Sequence, residues 1–229
     1  MRKTFVTFAA AAVLAASLFA QAPPAQAPQQ PLPPAPGAAP AQPPRPPLGP
    51  NEWAIDAGHS AANFSVRHNV VSTVRGQLGQ ITGKIEYDGK DIKTVKADVS
   101  IDMKAITTQN ERRDTHLKSP DFFDVANHPS LTFKSKRVEP GAAGKFKLIG
   151  DLTIRGNTKE VVLEVDGPSP VVKRAGRNGA VTLLTGASAT TKISRKEFGV
   201  LWNNLIESMP VVGDEVIITI DLELNRPGT

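Results

Sequence analysis

Cysteine is absent from this chain. Its absence excludes a disulfide framework, a thiol nucleophile, a thiolate zinc site and the lipidated cysteine of a bacterial lipoprotein. Aromatic residues are sparse at 5%, and Phe5, Phe8 and Phe19 fall in the first 22 positions, which leaves six phenylalanines, two tryptophans and one tyrosine to fill a core. Charge of one sign is lacking as well. The formal +5 rests on 27 basic residues, and setting aside Arg2, Lys3 and Arg45 leaves 24 against 22 acidic ones. That balance is no nucleic-acid footprint. Beyond residue 22 no apolar run approaches the ~20 residues of a membrane-spanning helix.

What is present begins with a secretory pattern. Arg2 and Lys3 precede an apolar run from Phe5 to Ala20, and Ala20-Gln21-Ala22 is a small-x-small cleavage site. Residues 1–22 therefore read as a signal peptide cut after Ala22, with periplasmic or secreted location expected. An uncleaved anchor is the alternative, but the run is short for a bilayer. Thirteen of the 20 prolines lie between Pro23 and Pro50 among alanine and glutamine. Residues 23–50 are thus expected to be a disordered linker of polyproline II character, either a spacer or a solvated tail. Residues 51–229 remain for one domain.

From Trp53 onward the hydrophobic pattern has period two, the mark of strands with one face buried. Apolar or small residues alternate with polar ones through Ala62, Phe64, Val66; Ile81, Gly83, Ile85, Tyr87; Val95, Ala97, Val99, Ile101, Met103; and Leu131, Phe133, Ser135. Four more segments follow, centred on Phe146 to Ile154, Val161 to Val165, Ala187 to Ile193 and Val216 to Leu224. Asp88-Gly89, Gly156-Asn157 and Gly213-Asp214 offer turn chemistry between strands. The expectation is an all-β domain of eight antiparallel strands, closed as a barrel or folded as a β-sandwich. Gly83, Gly150, Ala97, Ala187 and Ala189 at inward positions would leave room inside a barrel.

One segment breaks the rhythm. Between Thr107 and Val125, Thr108 with Glu111 three residues later predicts a capping box opening a helix through Leu117. Ser119-Pro120 predicts a second helix start leading into Phe122 and Phe123. A helical insertion of this kind covers a barrel end or a sheet edge. Its Arg113, Asp114 and His116 either meet a polar ligand head, which guanidinium suits, or pin the helix to the barrel.

Catalytic motifs are missing. No serine sits in Gly-x-Ser-x-Gly, and Gly79-Gln80-Ile81-Thr82-Gly83-Lys84-Ile85 has one residue too few and no hydroxyl for a phosphate loop. The four histidines, His59, His68, His116 and His128, form no His-x-His or His-x-x-x-His pair, so spacing indicates no metal. The domain reads as neither an enzyme nor a cofactor protein. An interaction module, using the proline-rich stretch or the loop from Trp202 to Pro210, is the alternative to a binding barrel.

Ile55-Asp56, His59-Ser60, Phe64, Val66 and His68, followed by Arg113-Asp114, His116-Leu117, Ser119 and Phe122-Phe123, resemble the N-terminal signature and the central polar motif of a known family, the YceI-like domain. Pro129, Phe133 and Ser135 match the following strand. The run from Gly150 to Lys159, Arg195 with Phe198-Gly199, and Val212-Gly213-Asp214 continue the match in order. Leu78 departs from a family preference for phenylalanine, and Asn157 from a branched residue. The resemblance implies a lipocalin-like eight-stranded barrel whose tunnel binds a polyisoprenoid or another long-chain amphiphilic lipid. The implied ligand-facing set is Phe64, Val66, His68, Val99, Ile101, Arg113, Phe122, Phe133, Leu152, Ala189 and Ile220. An isologous homodimer and peripheral contact with a membrane are both compatible with such a barrel.

Overall fold

The alternating segments are strands, and their pairing closes a ring. The computed structural model describes residues 47–176, 179–203, 205, 206 and 209–228. Its strands are β1 (Glu52–Ile55), β2 (Ala61–His68), β3 (Ser72–Gln77), β4 (Ile81–Glu86), β5 (Lys96–Asp102), β6 (Ser130–Pro140), β7 (Lys145–Ile154), β8 (Asn157–Asp166), β9 (Val172–Ala175), β10 (Val181–Ser194), β11 (Leu205–Ile206), β12 (Met209–Pro210) and β13 (Val212–Pro227). Among the described residues one α-helix, α1 (Glu111–Lys118), lies between β5 and β6. The segment expected to be a signal peptide and nearly all of the proline-rich stretch fall outside the described residues.

Antiparallel pairing runs β13-β1-β4-β5-β6-β7-β8-β10 and returns to β13 through the β10–β13 pairing. This closed ring of eight strands excludes the sandwich alternative, because a sandwich needs two separate sheets. The count agrees with the sequence reading, but the membership differs. β1 takes the ring place expected for the strand at Ala62 to Val66. β13 explains the exchange. At 16 residues it is long enough to pair with β10 along Glu215 to Pro227, and its other edge serves β2 from Val212 to Asp221 and β1 at Leu224 and Asn225. The β2–β3 hairpin thus extends the wall beside the ring.

Other expectations need correction in detail. The cap of α1 is Asn110, whose side chain accepts the Arg113 N–H at 3.0 Å. Thr108 is drawn instead to Asp114 and Arg113. No helix starts at Ser119. Its N–H and hydroxyl both donate to the His116 carbonyl, closing α1, and the chain continues in turns. The β7–β8 reversal uses Arg155 and Gly156, at φ 51° and 75°, because Asn157 already pairs with Ile154. Gly213-Asp214 lies in a register shift within β13, between Val212 and Val216, so it bends a strand without reversing it.

Candidate ligand-binding site

Inward residues of the wall leave two apolar chambers. The inner one, about 110 Å³, is bounded by β4 to β8, β10 and β13. The outer one, about 210 Å³, lies where α1 covers the barrel and is also lined from β2 and the Phe198–Trp202 segment. An apolar cavity of about 150 Å³ stays dry and takes up a benzene-sized ligand, so the outer chamber is in the range of a real binding space. Leu78, Leu131 and Ile218 line both chambers and form a waist between them.

The polarity is one-sided. Arg67, His68, Arg113, His116 and Arg195 all line the outer chamber, whereas among the described residues the inner chamber has no charged lining. Of the residues singled out from sequence, Phe64, Val66, His68, Arg113 and Phe122 line the outer chamber, and Val99, Ile101, Phe133, Leu152, Ala189 and Ile220 the inner one. Ala97, Ala187 and Ala189 line the inner chamber as small residues should. Gly83 and Gly150 do not. A Cβ on Gly83 would lie 2.2 Å from the Asp98 carbonyl oxygen, and one on Gly150 would lie 2.4 Å from that of Lys134. These glycines therefore admit close strand approach and add no internal volume.

Three of the lining residues that sequence reasoning did not assign to the site stand out. Leu78, noted there only as a departure from the family, stands in the waist. Trp202, placed there in a partner-facing loop, lines the outer chamber. Its ring centroid lies 4.9 Å from that of His116 and 5.1 Å from that of Phe122, and His116 meets Phe122 edge-on at 4.9 Å. Arg195, 5% exposed, is the third. It donates to the carbonyls of Gly213, Val200, Trp202 and Val212 and to Asp214 Oδ1. Burial pushes its guanidinium pKa down, and Asp214 opposes that shift. A polar 3₁₀ turn has no alternation to mark an inward arginine; the family motif was its one signal.

The central polar motif pins α1 to the loop after β5, and its Arg113 and His116 also line the outer chamber. Asp114 accepts from the Thr107 hydroxyl at 2.9 Å and the Thr108 N–H at 2.8 Å, which ties α1 to the strand-end loop. Arg113 donates from Nε to the Thr108 hydroxyl at 2.7 Å while lining the outer chamber. His116 Nε2 lies 2.8 Å from Asp121. Burial pushes the Asp114 carboxyl up, but the donors on Thr108 and Thr107, with Arg113 beside them, outweigh it and hold the group below its ordinary value of 3.8.

A depressed folded-state pKa contributes stability that is present above the unfolded value and lost as pH falls through the folded one. Asp114→Ala is accordingly expected to cost about 1–3 kcal/mol at neutral pH. Thermal melts are expected to show this deficit narrowing as pH is lowered below 3.8. Unchanged melting with lost ligand binding would move Asp114 from support of the fold to the ligand.

A separate cluster lies outside both chambers. Asp56 and His59, from the β1–β2 connection, meet Glu223 of β13 with their candidate ligand atoms within 4.8 Å of one another. Spacing along the chain could not reveal this contact. Asp56 Oδ1 already accepts the N–H groups of Gly58 and His59 and faces His59 Nδ1 at 3.2 Å, so a turn accounts for the cluster.

Comparison with known proteins agrees with this architecture. The family model described as YceI-like domain matches residues 53–224. A UPF0312 protein of Staphylococcus aureus strain N315 is 35% identical over 156 residues, covering 68% of this chain and 86% of the relative. The crystal structure of Burkholderia cenocepacia BcnA is similar at TM-score 0.60 and 21% identity, covering 74% of this chain and 98% of that one. A polyisoprenoid binding domain from Saccharophagus degradans, implicated in plant cell wall breakdown, aligns at TM-score 0.54 and 15% identity over 76% of this chain and 98% of its own. Because the family model spans residues 53–224, and with them the ring, the helical cover and the motif residues from Ile55 to Asp214, the chain belongs to the YceI-like domain family.

Proposed function

We propose that this protein is a non-enzymatic carrier or store of a long-chain amphiphilic lipid, a polyisoprenoid being the favoured class. The observation that carries this reading is the pair of apolar chambers that share Leu78, Leu131 and Ile218 in their walls, with all the charged lining among the described residues at one end. Such a gradient suits a molecule with a polar head and a long tail. The head lies near Arg113 and His68, and the tail passes the waist into the inner chamber. Each buried methylene contributes ~0.8 kcal/mol, so about fifteen to twenty buried carbons offset association costs of several kcal/mol and leave micromolar binding. The polyisoprenoid binding named for the Saccharophagus degradans domain, which shares this fold, supports the ligand class.

The secretory pattern of residues 1–22 supports a place in the cell envelope or outside the cell. A mature chain beginning near Pro23 is the expected product, and N-terminal sequencing of exported protein that starts at Met1 would overturn it. Native mass spectrometry with lipid extraction tests the carrier reading. The expected result is a bound apolar molecule released by organic solvent. A domain that is empty as purified and fails to take up an isoprenoid analogue would favour a packed interaction module.

A further inference from the structure

The β2–β3 hairpin turns through Asn69, Val70 and Val71, and three unfavourable features meet there. Val70 and Val71 are 53% and 81% exposed. Asn69 and Val70 take φ of 49° and 62°, a left-handed backbone that suits glycine or asparagine and strains a β-branched residue. Asn69 Oδ1 is buried with no hydrogen-bond partner. Local costs concentrated in one turn point to a role beyond folding.

Position and charge indicate the role. Arg67, His68 and Val74 flank the turn and line the outer chamber. Leu201, 65% exposed, lies between two further lining residues, Val200 and Trp202. The hairpin from Ala61 to Gln77 contains Arg67 and Arg75 and no carboxylate, and the Arg67 guanidinium donates to the Val70 carbonyl, which keeps a cation against the turn. Apolar side chains backed by cations fit the boundary between acyl chains and anionic headgroups. They fit a second copy poorly, because tip-to-tip pairing sets arginine against arginine. We propose that the Asn69–Val71 turn, with Leu201, is a docking tip for anionic lipid bilayers that sets the outer chamber against the membrane. This inference rests on the carrier reading in one respect: a lipid chain then reaches the chamber without crossing water.

The test uses the mature protein with Val70→Asn and Val71→Ser together. Asparagine suits the left-handed backbone, so melting is expected to be unchanged or raised. Cosedimentation with vesicles of phosphatidylcholine and phosphatidylglycerol is expected to weaken about tenfold, since most of the inserted apolar surface is gone. Wild-type binding is also expected to fall on pure phosphatidylcholine, where the cations lose their partners. Equal vesicle affinity of variant and wild type, or no wild-type binding, would overturn the proposal. So would a wild-type dimer in sedimentation velocity that the substitutions turn into a monomer. Binding of a soluble isoprenoid analogue separates the two readings. Wild type that docks on vesicles but ignores the analogue overturns the carrier and keeps the tip, whereas analogue binding without docking overturns the tip alone.

Discussion

Arg195→Met is expected to lower the melting temperature by about 10 °C, from a loss of about 3–5 kcal/mol. The expectation follows from what one side chain holds. Its guanidinium satisfies four backbone carbonyls, those of Gly213, Val200, Trp202 and Val212, and reaches Asp214. These acceptors lie on the turn after β10 and on the start of β13, where the register shift leaves carbonyls outside the ladder. Methionine preserves much of the apolar stem and removes every donor, so the buried Val200 carbonyl and the part-buried Gly213 and Trp202 carbonyls lose this partner at once, while Val212 keeps the Asn203 amide. Arg195→Lys is expected to recover little, because an ammonium cannot reproduce a planar fork across five acceptors. Differential scanning calorimetry decides. A shift below about 2 °C would mean that solvent reaches the abandoned carbonyls. The same substitution frees Val200 and Trp202, so analogue binding measured well below the melting point is expected to weaken too.

Ala189→Phe is expected to do the reverse, with little change in stability and a large loss of binding. Ala189 pairs with Val165 on β8 and Ile220 on β13, and all three line the inner chamber. A phenyl ring there enters empty volume and displaces three or four methylenes of a bound chain. At ~0.8 kcal/mol each, this amounts to about 100-fold in affinity. A short analogue that stops in the outer chamber is expected to bind as before, because the waist at Leu78 lies between it and the ring. Titration with long and short fluorescent analogues, alongside thermal melts, checks both arms. In a close-packed interior the substitution would cost about 1–3 kcal/mol by overpacking, and long-chain affinity would not respond selectively.

Much of this molecule could be read before its structure. Strict alternation through Val95 to Met103 or Val216 to Leu224 reports one buried face, because successive side chains on a strand point to opposite sides. Eight such segments with few carboxylates or amines facing inward predict an apolar interior, and the motif order added the family. The eleven candidate ligand residues lay on these alternating faces or in the motif, which is why each of them lines a chamber.

What only the tertiary structure decided depends on contacts between distant parts of the chain. β1 has four residues, of which Trp53, Ala54 and Ile55 are all buried, so it carries no alternation to read. Its place in the ring comes from pairing Ala54 with Asn225 and Trp53 with Ile85. The cap of α1 moved to Asn110 because Asp114 and Arg113 compete for Thr108, a choice that local propensity does not weigh. Gly83 and Gly150 resembled cavity-forming positions until neighbouring carbonyls were seen to occupy their Cβ space. The waist at Leu78 and the role of Arg195 arose in the same way. Periodicity reports which face of a segment is buried, but neighbour, register and remaining volume are set by hydrogen bonding and packing between segments far apart in sequence.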